Sequence, residues 1–263
     1  MSLKYQLYLC YKYMKSVLGL GWKTNLHKVE LELVSYCNLN CINCDRSCRQ
    51  LPTGEMMTVE QVRHFVLESL LLKYEWKQIR LLGGEPTLHP QFFEILDVIK
   101  DYKNKYPKCK IHIISNGVGD KVNDVLSRIP DWVEIRNSAK ESYVNEFTSY
   151  NLASIDLNQL KNKNFHKGCW ITNICGLGLS RYGYYSCGAG ASVDRVFCFN
   201  IGIKNLKDVN NKNLNKQKEI LCKYCGHFKD NFRYPTTTTE DISKSWKKAY
   251  NDNNKYKKYM SLY

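Results

Sequence analysis

From Leu3, apolar residues recur at Leu7, Cys10, Met14 and Leu18, a spacing of three to four that puts one stripe on a helix with Lys4, Lys12 and Lys15 mostly off it. The stripe predicts docking onto the body of the protein; lying on a membrane surface is the alternative for a basic amphipathic helix. A strand and helix rhythm follows. His27 to Val34 reads as a strand, and Thr58 to Tyr74 as a helix with Thr58 as N-cap and Val62, Phe65, Val66 and Leu70 on its apolar face. Ile79 to Leu82 is a short buried strand, Gln91 to Tyr102 a helix, Ile111 to Ile114 a strand, Lys121 to Ile129 a helix and Val133 to Ile135 a strand. Such alternation predicts parallel βαβ units whose polar loops gather at one edge of the sheet, where ligands bind.

After about Ser149 the rhythm changes. The stretch from Gly168 to Asn200 is rich in Cys, Gly and aromatic residues, and Arg181-Tyr182-Gly183 between Leu177-Gly-Leu179 and Tyr184-Tyr185 predicts a hairpin. This segment reads as a separate module stapled by metal. The end of the chain carries a threonine run from Thr236 to Thr239 and then a Lys-rich segment with Trp246, Tyr250 and Tyr259, read as a peripheral helix or tail.

Composition narrows the classes. With 263 residues, 43% hydrophobic and 24% charged, the chain can bury a sizeable core, and neither a fibrous nor a wholly disordered reading survives. The longest apolar runs stop well short of a membrane span, and no apolar segment with a cleavage site marks export, so a cytoplasmic protein is expected. Lys plus Arg number 39 against 25 acids, a balance of +14 that often marks a nucleic-acid partner. Here the lysines are interleaved with Asn and Tyr, as in Asn210 to Lys218, so nucleic acid is not the expected partner. Twelve cysteines in a cytosolic chain point to metal or redox chemistry rather than disulfides.

Their spacing divides them. Cys37-Asn-Leu-Asn-Cys41-Ile-Asn-Cys44 follows the first strand directly. Three thiolates within eight residues can wrap one metal centre; zinc would want a fourth ligand, which Cys48 could supply. Gly83-Gly84-Glu85-Pro86 follows the second strand, where glycine lets backbone approach a ligand closely. Together the two motifs resemble those of radical S-adenosylmethionine (SAM) enzymes. The resemblance implies a [4Fe–4S] cluster on Cys37, Cys41 and Cys44 with one iron left for SAM, and Gly83, Gly84, Glu85 and Pro86 at the SAM amino group. Ser115 and Asn116 after the third strand, and Asn137 and Ser138 after the fourth, match the polar strand ends that contact SAM in the family. Asn43 stands where the family usually has an aromatic residue that helps seat adenine; its backbone contact can persist, the aromatic packing cannot. The implied fold is α/β, a partial (β/α)6 TIM-like barrel with a small C-terminal iron–sulfur module. The first four strands are legible and the last two are not.

The later set is Cys169, Cys175, Cys187, Cys198 and the CxxC of Cys222 and Cys225. A first Cys, a Gly-containing hairpin, Cys187, a long gap and CxxC resemble the SPASM and twitch modules of radical SAM enzymes, nearer the single-cluster twitch form. The resemblance implies one auxiliary [4Fe–4S] cluster on Cys187, Cys222, Cys225 and Cys169, with Cys175 the alternative to Cys169. The implied organisation is an N-terminal helix over 1–26, a radical SAM partial barrel over 27–166, the auxiliary module over 167–233 and a C-terminal helix or tail over 234–263.

The function so implied is reductive cleavage of SAM to a 5′-deoxyadenosyl radical that abstracts hydrogen from a small polar substrate, a sugar, cyclitol or nucleotide-linked compound, with net two-electron oxidation. Electrons would come from a donor such as flavodoxin or ferredoxin. Lys140 and His89 are the candidate bases, and Cys198 is the candidate hydrogen-atom donor if the reaction is instead epimerisation. The 26 residues before His27 leave no room for the leader-binding domain of peptide-modifying members, so a peptide modifier served by another chain is the runner-up. A zinc-binding, nucleic-acid-interacting protein is the remote alternative.

Overall fold

In the computed structural model the described residues are all but 1–5, 8, 9, 12, 16, 17, 19, 139, 141–143 and 232–238. Four parallel strands form one side of the sheet: β1 (Lys28–Val34), β2 (Gln78–Gly83), β3 (Lys110–Ser115) and β4 (Val133–Asn137). Helices α1 (Val59–Leu71), α2 (Phe92–Lys105) and α3 (Asp120–Ser127) make the crossovers. Register is set by apolar pairs such as Leu31 with Leu81 and Ile79 with Ile111, which share the face that the helices cover.

Local signals fix the helix that starts this layer. Thr58 accepts from the Gln61 amide at 3.1 Å and Gln61 Oε1 accepts from the Thr58 amide at 3.0 Å, a reciprocal cap that closes two otherwise orphaned donors. The buried face of α1, with Val62, Phe65 and Val66, packs on Ile95, Leu96 and Ile99 of α2 and on β1. Truncating Phe65, which is fully buried, would cost roughly 3–5 kcal/mol.

The other side of β1 departs from the expectation. Strands β5 (Leu177–Ser180) and β6 (Gly183–Tyr185) form the expected hairpin. Yet β5 pairs in parallel with β1, Val29 with Leu177 and Leu31 with Leu179, so the hairpin extends the main sheet. The order is β4-β3-β2-β1-β5-β6. In place of a fifth and sixth βα repeat, the described part of 144–167 holds two short 3-10 turns, Ser154–Asp156 and Phe165–Lys167. Among the described residues, four parallel strands joined by three crossover helices, in an open, largely parallel sheet, stand where six βα repeats of a partial barrel were expected.

Helices α4 (Trp170–Cys175), α5 (Gly188–Phe197), α6 (Asn211–Leu221) and α7 (Lys244–Lys257) cover the second face, around a smaller core of Tyr150, Tyr185, Val193, Val196, Leu221 and Trp246. Part of the N-terminal segment and residues 236–238 of the threonine run lie outside the described residues. Where it is described, the first stripe exposes Leu7, Cys10, Met14 and Leu18; Tyr11 meets Trp22 edge-on with ring centroids 5.8 Å apart. The docking expected through that stripe is thus not made by these four residues. Among the described residues no helix is long and apolar enough to cross a membrane.

Candidate active site

The loop after β1 brings Cys37, Cys41 and Cys44 to one cavity of about 290 Å³ at the C-terminal ends of the parallel strands. Gly83, Gly84, Ser115, Asn116, Ser138 and Lys140 line the same cavity. Gly84 permits this convergence: a Cβ there would strike the carbonyl of Tyr36, so only glycine lets the β2 turn rest on the cysteine loop. Donors face the sulfurs. Leu39 N–H lies 3.4 Å and Asn116 Nδ2 3.6 Å from Cys37 Sγ, and Asn145 Nδ2 lies 3.8 Å from Cys41 Sγ.

The thiols are set apart electrostatically. Burial pushes Cys37 up to about 11 despite the Leu39 and Asn116 donors. A hydrogen bond from the Cys48 thiol, working against burial, brings Cys44 down to about 7. Cys48, which the sequence marks only as a possible zinc ligand, is thus a buried neighbour of Cys44. Among the described residues no three His, Cys, Asp or Glu side chains converge on a single metal ion. The triplet instead lines a cavity wall beside polar strand ends, an arrangement that fits a cluster with one accessible iron and a ligand beside it.

Several residues expected at the cofactor do not line this cavity. Glu85 does not line the cavity: it is fully buried, its Oε1 accepts from Thr87 Oγ1 at 2.7 Å and Ser115 Oγ at 3.0 Å, and its Oε2 accepts from the Asn116 amide at 2.8 Å. It braces β2 against β3 and holds the strand ends that line the cavity. Pro86 starts a 3-10 turn and is buried. Asn137 packs on Gly117 rather than at the cavity. Asn43 has φ +55° and a fully buried side chain whose Nδ2 donates to Phe147 O at 2.8 Å and Thr239 O at 3.0 Å, which turns it away from the triplet cavity.

The expected bases also separate. His89 is buried, its Nδ1 accepting from the Gln91 amide at 3.1 Å and its Nε2 donating to Met57 O at 2.8 Å. Both ring nitrogens are hydrogen-bonded to backbone groups and burial lowers its pKa. Lys140 does line the triplet cavity, its Nζ 4.2 Å from the Phe147 ring centroid. Cys198 caps α5 in the left-handed region at φ +55°, accepts from Asn253 Nδ2 at 3.3 Å and faces a different cavity between α5 and α7. It is not among the residues lining the triplet cavity.

Cys169, Cys187, Cys222 and Cys225 line one small pocket together with His227 and Phe228. Cys169 and Cys187 are N-caps of α4 and α5, Cys222 caps the end of α6, and Cys225 follows in the next turn. The space between them is small, about 10 Å³. Burial pushes Cys187 up to about 11 and, helped by the neighbouring thiols, Cys222 and Cys225 well up. Binding of a cation would favour their deprotonation. Cys175 stands apart, at the end of α4 beside Arg80, which donates to its carbonyl at 3.1 Å.

Sequence reasoning missed the charged cluster between the two sets. Arg46 meets Glu30 at 3.2 Å, Glu32 at 3.5 Å and Asp45 at 3.7 Å; Arg80 meets Glu30 at 2.5 Å; His227 lies 3.8 Å from Asp45. Gly188 makes room for it, since a Cβ there would strike Glu30 and Arg46.

Comparison with known proteins adds to this geometry. Residues 31–136 match the family model described as the Radical SAM superfamily. A probable GTP 3′,8-cyclase of Methanococcus aeolicus is 31% identical over 93 residues, 35% of this chain and 30% of that protein. One of Pyrococcus horikoshii is 35% identical over 79 residues, 30% of this chain and 24% of that protein. The chain thus spans about three tenths or less of these relatives. The crystal structure of BtrN in complex with AdoMet and 2-DOIA superposes with TM-score 0.48 at 15% identity, covering 84% of this chain and 98% of that one.

Proposed function

From the premise that residues 31–136 are a radical SAM domain, we propose that this chain oxidises a small polar molecule by two electrons, with one [4Fe–4S] cluster at the SAM site and one auxiliary cluster. The observation that carries the reading is the meeting of Cys37, Cys41 and Cys44 with Gly83, Gly84, Ser115, Asn116 and Ser138 on one cavity. When bound, the cluster and SAM supply reductive cleavage to methionine and a 5′-deoxyadenosyl radical that takes hydrogen from a substrate carbon. The chain's own part is positional. Leu39 and Asn116 hold and polarise Cys37, the strand ends offer hydroxyl and amide partners to SAM, and Glu85 fixes those ends. Cys169, Cys187, Cys222 and Cys225 would hold the auxiliary cluster as an acceptor for the second electron, with Cys169 favoured over Cys175 by its place in the pocket.

Iron content tests the two-cluster part. The triple variant Cys37→Ala, Cys41→Ala, Cys44→Ala should keep about half the wild-type iron, as expected for one of two Cys-ligated clusters, and Cys222→Ala with Cys225→Ala should remove the other half. Iron near zero in the triple variant would leave a single cluster and make the CxxC a zinc clamp or redox pair.

Redox-neutral epimerisation is the second reading, and one observation favours it. Cys175 is a free thiol on the wall of a further cavity between the two cysteine sets, where a substrate radical could recover hydrogen. Loss of product with continued 5′-deoxyadenosine formation in Cys175→Ala, together with solvent deuterium in wild-type product, would select it over oxidation.

A further inference from the structure

A buried lysine stands beside the four-thiol pocket. Lys218 lies on α6 four residues before Cys222, so the two share a face of the helix, and the Cys222 amide donates to the Lys218 carbonyl at 2.9 Å. We infer that Lys218 supplies the positive charge that stabilises the reduced form of an iron–sulfur cluster held by Cys169, Cys187, Cys222 and Cys225. It is a positioning residue that sets the potential of that cluster without touching substrate. The inference rests on the two-cluster reading proposed above.

The side chain is held at both its stem and its head. Gly168, directly before Cys169, has φ +63°, and a Cβ there would lie 2.9 Å from Lys218 Cδ, so the stem runs against the chain that enters Cys169. At the far end, Nζ donates to the Trp22 carbonyl at 2.9 Å. The residue is 2% exposed. Water and salt therefore screen its charge far less than they would at the surface.

Its counter-charge is not a carboxylate. Among the described residues the hydrogen-bond acceptor of the ammonium is that neutral carbonyl, and the groups whose charge acts on it are Cys222, Cys187 and Cys169. The interaction runs both ways: burial raises Cys187 and Cys222, and Lys218 works against it. A buried ammonium with no anion is costly, and four thiolates around iron would supply one. Each electron such a cluster takes up makes it more negative, and net charge, hydrogen bonds and exposure set its potential. A fixed ammonium alongside favours the reduced form, as an acceptor of the second electron requires.

Potentiometric titration of the full, anaerobically reconstituted chain, followed by electron paramagnetic resonance, tests the inference. Wild type should show two one-electron waves; the one whose signal changes when SAM is added belongs to the triplet, the other to the four-thiol set. Lys218→Met should make reduction at the second wave at least tenfold less favourable, a fall of about 59 mV or more for one electron, with the first wave unmoved and iron content at the wild-type value. Lys218→Arg, which keeps the charge, should stay within threefold of wild type. Lys218→Gln keeps a donor for the Trp22 carbonyl and loses the charge; it should fall as Lys218→Met does, and it serves if that variant fails to fold. A second wave that stays in place in Lys218→Met or Lys218→Gln, or that falls as far in Lys218→Arg, would overturn the inference and leave the two clusters standing. A single wave with half the expected iron in wild type would instead remove the auxiliary cluster and the inference with it.

Discussion

Arg46 Nη2 lies 3.2 Å from Glu30 Oε2, joining the loop that carries Cys44 to the central strand between the two cysteine sets. Both side chains are buried, at 10% and 5% exposure, and Glu32 shares the same guanidinium. A buried pair of this kind adds little net stability over an apolar replacement of both partners, but removing one partner strands the other.

Arg46→Met should therefore cost about 3–5 kcal/mol, read by urea denaturation. Its pH dependence has a definite sign. Burial already raises the Glu32 pKa against the pull of Arg46, and losing the guanidinium raises it further. A carboxyl raised in the folded state contributes its stability below the unfolded value of about 4.3 and loses it as pH rises through the folded value. The gap between variant and wild type should widen from acid to neutral pH. A gap independent of pH would show that Glu32 does not feel Arg46.

Glu85→Ala should act on stability first. It removes the acceptor of Thr87, Ser115 and Asn116 donors and leaves them buried, at roughly 3 kcal/mol, and SAM affinity should fall only with the shift of Ser115 and Asn116. Unchanged denaturation with a large loss of SAM affinity would restore Glu85 as a direct ligand contact.

How much of this was legible follows from which forces are local. The four strands and three crossovers were readable because each carries its own apolar period and its own stop signals, as the Thr58 and Gln61 cap illustrates. The hairpin was readable from Arg181-Tyr182-Gly183, but its pairing with β1 joins Val29 to Leu177 across the chain, and no local pattern encodes that partner. The cysteine sets were readable as spacing. Glu30 and Glu32 were not: nothing near β1 shows that Arg46 and Arg80 turn to meet them inside. His89 and Cys198 suggested chemistry by type, while His89 is buried with both ring nitrogens hydrogen-bonded and Cys198 lines a cavity away from the triplet.

Cys198→Ala should leave SAM cleavage and turnover within twofold of wild type. The thiol faces the cavity between α5 and α7 and its one close donor is Asn253 Nδ2, so the expected cost is below about 1 kcal/mol of stability. A selective loss of product would return it to the reaction.

The central claim is that Cys37, Cys41 and Cys44 hold a cluster that cleaves SAM. Its most direct test is the amount of 5′-deoxyadenosine formed when the anaerobically reconstituted chain is reduced in the presence of SAM. The account predicts 5′-deoxyadenosine with matching methionine from wild type, and none from Cys37→Ala, Cys41→Ala or Cys44→Ala. An iron-loaded wild type that forms none, or any of these variants forming it at the wild-type rate, would contradict the account.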